Sequence, residues 1–101
     1  MQYLSTRNSS LKESFFTILF QGLSRDGGLF LPHTWPLIDL KQLKDKTYQE
    51  IALSIIYPFV KENINEMDLK LILDKTFTNF NHPKIAPIVN IKENKFILEL
   101  F

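Results

Sequence analysis

Apolar residues recur at steps of three and four through the middle of the chain, and the pattern shifts toward a strand period from Pro87 onward. The clearest helical stripe is Tyr48, Ile51, Ala52, Ile55, Ile56 and Phe59, with Thr47 placed to cap it. Pro58 removes the hydrogen bond to Ser54, so this helix is predicted to kink or end there. Asn65 is a good N-cap for a second helix, with Asp68 in its first turn. Its stripe is Leu69, Ile72, Leu73, Phe77 and Phe80, ending near Asn81-His82-Pro83. The short link Lys61 to Ile64 predicts antiparallel neighbours. They should pack through Ile51, Ile55, Ile56 and Phe59 against Leu69, Ile72, Leu73 and Phe77.

Upstream, Gln2 to Ser5 reads as an opening strand and Thr6 to Ser10 as a turn. Ser10 with Glu13, or Ser14 alone, is placed to cap a first helix carrying Phe16, Leu19, Phe20 and Leu23 on one face. Gly22 and the run Ser24 to Gly28 stop it, because glycine accepts a positive φ. Leu29-Phe30-Leu31, closed by Pro32, reads as a short strand, and Asp39 to Leu43 as a single helical turn.

Pro87 to Ile91 and Lys95 to Phe101 read as two strands joined by Lys92-Glu93-Asn94, with Asn94 able to turn left-handed. The predicted fold class is therefore α+β: about three main helices, short N-terminal strands and a C-terminal β-hairpin. The last strand is apolar on both faces, with Phe96, Leu98 and Leu100 on one and Ile97 and Phe101 on the other. Such a strand belongs under cover, so its position at the end of the chain predicts that residues 1–101 are a fragment of a longer protein. The competing expectation is a short protein whose last strand packs centrally.

A length of 101 residues allows one domain, and a composition of 45% hydrophobic and 23% charged residues is that of a globular chain. The formal charge of +1 and the scattered basic residues argue against nucleic-acid binding. Lys41, Lys44 and Lys46 are interleaved with Asp39 and Asp45, as on a solvated face. The absence of cysteine excludes disulfides and thiolate metal sites. No signal peptide or membrane-length apolar run is visible, which makes a cytoplasmic protein without membrane contact the expectation.

Candidate chemistry is sparse. Gly22 and Gly27 have P-loop spacing, yet Gly28-Leu29 stands where Lys and Ser/Thr are required, so Asp26, Gly27 and Gly28 are read as a structural turn. His33 and His82 lack metal-ligand spacing, and no metal site is expected. Ser5, Thr6 and Arg7 combine two hydroxyls with a fixed charge, a set able to hold a phosphate or carboxylate. The other reading of the same triplet pairs Arg7 with a surface carboxylate and makes Ser5 a turn cap. All lysines lie in polar contexts, unlike the desolvated lysine that forms a Schiff base with pyridoxal phosphate.

Taken in order, several segments carry a family resemblance: Tyr3 to Arg7, Gly22 to Pro32, Trp35-Pro36, Thr47-Tyr48 and Pro58 to Val60. Phe80 to Pro83, Ala86 to Val89 and Leu98 to Phe101 complete it. The chain resembles the N-terminal domain of threonine synthases over essentially its whole length. Asn8 departs from the glycine usual there. The resemblance implies a pyridoxal-phosphate enzyme of the tryptophan-synthase-β-like class that converts O-phospho-L-homoserine and water to L-threonine and phosphate. It implies the remaining catalytic domains of the same chain as partners, and a cofactor lysine beyond Phe101. On that reading residues 1–101 alone bind no cofactor and are inactive, and Ser5, Thr6 and Arg7 are the substrate-side candidates. The alternative is a free-standing interaction module that uses its C-terminal strand.

Overall fold

The computed structural model describes residues 1–100; the expected strand end at Phe101 lies outside them. Three short antiparallel strands form the first sheet: β1 (Tyr3–Ser5) is central, flanked by β2 (Lys12–Glu13) and β3 (Phe30–Pro32). Tyr3 pairs with Glu13 on one side and Pro32 on the other, and Ser5 pairs with Phe30. Between β2 and β3 runs α1 (Phe15–Gln21), capped by Ser14 Oγ, which accepts from the Thr17 amide at 3.2 Å. Ser14 is thus the cap, and Glu13, the other candidate's partner, lies in a strand. Gly22 ends the helix at φ 75°.

Helix α2 (Tyr48–Val60) opens on a capping box in which Thr47 and Glu50 bond reciprocally. It runs through Pro58 and stops two residues later than the proline alone predicts. In the last turn the ring costs one backbone bond, and the chain regains regular pairing at once through Lys61 N–H to the Tyr57 carbonyl, 2.9 Å. Helix α3 (Glu66–Phe77), capped by Asn65, ends earlier than expected. The side chains of Thr78 and Asn79 take the Lys75 carbonyl, and Phe80 N–H closes a tighter turn on Phe77.

Val60, Leu69 and Leu73 form the buried core, with Phe15, Ala52, Leu53, Tyr57, Phe59, Ile64 and Phe77 packed against it. Val60 at the end of α2 meets the early part of α3, and Tyr48 at its start stacks edge-on with Phe77 at 5.0 Å, so the helices are antiparallel. The register is the expected one in part: Phe59, Leu69, Leu73 and Phe77 belong to the packed interior, whereas Ile72 is exposed. Ile51, Ile55 and Ile56 line an open groove with Tyr48 and Phe77, and Leu53, Tyr57 and Val60 take their place in the core. The same reversal holds in α1: Phe15 turns inward against Tyr3 (6.2 Å), while Phe16, Leu19, Phe20 and Leu23 are exposed. Both helices are apolar around most of their circumference, so spacing alone does not select the inward side. Tyr3 ties sheet to helix, its hydroxyl donating to the Phe59 carbonyl at 2.8 Å.

Strands β4 (Ile88–Lys92) and β5 (Lys95–Leu98) form the expected hairpin, with Ile88 opposite Leu98, Val89 opposite Ile97, and an irregularity between Asn90 and Lys92. Asn94 adopts φ 59° in the turn. Every residue of both strands is exposed. The radius of gyration is 16.7 Å, against about 13 Å for a compact domain of 100 residues. The accessible surface, 8075 Å², exceeds by about 2,000 Å² that of a compact protein of equal mass.

Candidate functional site

Ser5, Thr6 and Arg7 meet Asp26, Gly27 and Gly28 in one hydrogen-bonded cluster. The antiparallel pairing of β1 with β3 brings them together, because Thr6 N–H continues the ladder to the Leu29 carbonyl at 2.8 Å. The turn from Ser24 to Gly28 closes on itself: Ser24 N–H donates to Gly28 and Gly27 N–H to Ser24, at 2.9 and 2.8 Å. Gly27 sits at φ 75°, a conformation that favours glycine. At Gly28 an added Cβ would stand 2.3 Å from Ser5 Oγ, so glycine is required there by close approach.

Ser5 is buried, and its hydroxyl donates to the Asp26 carboxylate while accepting the Arg7 amide at 3.2 Å. The Gly28 amide donates to the same carboxylate at 2.9 Å. These bonds, that of Gly28 first and then that of Ser5, hold the Asp26 carboxyl below its ordinary pKa. Thr6 Oγ1 accepts from the Leu29 amide at 3.0 Å, and Arg7 Nη1 donates to the Asp26 backbone carbonyl at 3.0 Å. Thr6 and Arg7 are exposed. The structure thus joins two features that sequence reasoning treated separately, and it pairs Ser5, not Arg7, with a carboxylate. The strand pairing of Ser5 with Phe30 is the signal that links them.

Asn8 has no positive φ. Its side chain accepts the Ser10 amide at 3.0 Å, forming an Asx turn. Of the two histidines, His33 is exposed and His82 accepts the Lys84 amide on Nδ1 at 3.1 Å. Every lysine is exposed. No helix among them is long and apolar enough to cross a membrane.

The model of the family described as threonine synthase N terminus matches residues 2–77, well over half of the chain. The chain belongs to this family. A threonine synthase from Pseudomonas aeruginosa is 36% identical to it, over 100% of this chain and 22% of that protein. One from Saccharomyces cerevisiae is 38% identical over 98% of this chain and 21% of its own length. Among solved structures, pyridoxal-phosphate-bound threonine synthase from Brucella melitensis superposes with a TM-score of 0.91 at 36% identity, covering 100% of this chain and 22% of that one. Threonine synthase from Escherichia coli gives 0.81 at 25% identity, over 100% and 23%. The chain spans about a fifth of the length of the curated relatives it matches. The α+β fold with three helices and a terminal hairpin is that of the threonine synthase N-terminal domain.

Proposed function

We propose that residues 1–101 are the N-terminal domain of a pyridoxal-phosphate-dependent threonine synthase that makes L-threonine and phosphate from O-phospho-L-homoserine and water. The end-to-end match to proteins about five times longer carries this reading. Pyridoxal phosphate supplies the electron sink for such chemistry when bound to a lysine. The exposed lysines here do not fit it, so the cofactor lysine is assigned to the rest of the protein.

The work of this domain is to pack on the catalytic part of the same chain. Its uncovered apolar surface supports that role. Ile88, Phe96 and Leu98 on one face of the hairpin, and Val89 and Ile97 on the other, are all substantially exposed. A two-stranded hairpin is marginal by itself. The excess of about 2,000 Å² is on the scale that permanent interfaces bury. A cytoplasmic location is part of the same proposal. No observation favours the free-standing module.

Borohydride reduction of the full-length protein with pyridoxal phosphate, followed by peptide mapping, tests the assignment. One labelled lysine outside residues 1–101 is the expected result. Stoichiometric labelling of a lysine within them would overturn it.

A further inference from the structure

We propose that Thr6 and Arg7 form a receptor for a phosphate-type oxyanion, and that the Asp26–Gly28 turn holds them in position. Only the identity of the ligand rests on the threonine synthase reading: the phosphate of O-phospho-L-homoserine, or the inorganic phosphate released from it.

Arg7 is fixed but not neutralised. The one ion pair among the described residues joins the Met1 amino group to Glu62. Arg7 is held instead by a neutral group, the Asp26 carbonyl, through Nη1. Its other N–H donors remain for a ligand, arranged in the planar fork that matches an oxyanion. The nearby Asp26 carboxylate does not compete, because its oxygens are taken up by Ser5 and the Gly28 amide. Its lowered pKa has those bonds as its main causes, and the charge of Arg7 is not among them.

The turn is shaped around this arrangement. A Cβ at Gly27 would stand 3.0 Å from Arg7 Nη1, and one at Gly28 would collide with Ser5. Ser5 is buried and both its donor and acceptor capacity are in use, so it positions the segment and does not reach a ligand. Thr6 differs: its oxygen accepts from Leu29, and its proton is left to donate outward from an exposed side chain. A hydroxyl donor next to a guanidinium fork suits the several acceptor oxygens of a phosphate.

The test uses the full-length protein, with O-phospho-L-homoserine as substrate and inorganic phosphate as competing ligand. Arg7→Gln should raise KM and the phosphate inhibition constant, each about tenfold, the loss expected for one charged hydrogen-bonding group. The kcat should stay within about twofold, as for a contact made equally in ground and transition states. Asp26→Ala should move both constants in the same direction, and Asp26→Asn, which keeps the acceptor for Gly28 and Ser5, should restore them. A rise in KM alone assigns the contact to the ester, and a rise in the phosphate constant alone assigns it to the free anion. If Arg7→Gln does not fold, Arg7→Lys keeps the charge without the fork, and the same constants must rise. Unchanged constants with a lowered Tm would mean that Arg7 pairs with a carboxylate elsewhere in the protein, overturning the proposal. A wild-type protein that makes no threonine would instead overturn the functional reading; calorimetric titration of it with inorganic phosphate still tests the receptor.

Discussion

Ser5 Oγ stands 2.8 Å from both carboxylate oxygens of Asp26, joining the first strand to the turn that follows the first helix. The contact needs Gly28, whose missing Cβ leaves room for that hydroxyl. Gly28→Ala should therefore destabilise the domain by about 1–3 kcal/mol, the usual cost of overpacking. Adding Ser5→Ala removes the atom in collision, so the double variant should lose less than the sum of the two singles. Denaturant titration of the four proteins measures that difference. Strict additivity would place the strain elsewhere, at Asp26 Oδ1 or Thr6 Oγ1, which the same Cβ approaches at 3.0 and 3.1 Å.

The carboxylate of Asp26 predicts how acid acts. Its pKa is lowered in the folded state by the Gly28 amide and the Ser5 hydroxyl, from an ordinary value of 3.8. A depressed carboxylate contributes stability that is complete above its unfolded value and is lost as pH falls through the folded one. Stability should thus drop as pH falls below about 4, and Asp26→Asn should flatten that drop. Glu50, lowered by the amide and hydroxyl of Thr47, acts in the same sense at the start of α2. Thermal melts between mildly and strongly acidic pH check both: a slope unaffected by Asp26→Asn and by Glu50→Gln would contradict the linkage.

The elements were largely legible because their punctuation is local. Thr47, Asn65, Gly22 and Asn94 each act on a neighbouring amide or a single φ, and each stands where the sequence places it. The Thr47–Glu50 box is likewise local, written in the sequence as Thr-x-x-Glu. The inward face of α3 was legible in Leu69, Leu73 and Phe77, but those of α1 and α2 were not. Ile51, Ile55 and Ile56 form as good a stripe as Leu53, Tyr57 and Val60, and the choice depends on partners distant in sequence. The cluster around Arg7 was hidden for the same reason, since it exists only after β1 and β3 pair.

That reversal of faces has a mutational signature. Leu73 is 7% exposed within the core formed with Val60 and Leu69, so Leu73→Ala should cost about 2–5 kcal/mol. Ile55 is half-buried on the groove and outside the core cluster, so Ile55→Ala should cost less, about 1–2 kcal/mol. Equilibrium unfolding in urea of residues 1–101 decides the matter. Equal losses at the two sites would restore the packing that helical spacing suggests.

The hairpin makes opposite demands in two contexts. Phe96 is 61% exposed and Ile97 50%, one on each face of β5, so neither face is covered by the described residues. In residues 1–101 by themselves, two such surfaces can bury each other between molecules, as uncovered apolar strands do. Phe96→Lys with Ile97→Lys should then reduce self-association in sedimentation velocity and leave the α2–α3 core intact, with an unchanged helical circular-dichroism signal. In the full-length protein the same pair should be severely destabilising. Two side chains that gain about 1.5–3 kcal/mol each by burial would be replaced by ammonium groups that burial penalises. A soluble, active full-length double variant would mean that the hairpin stays open to solvent. The catalytic part would then dock elsewhere, leaving the groove lined by Ile51, Ile55, Ile56 and Tyr48 as the next surface to substitute.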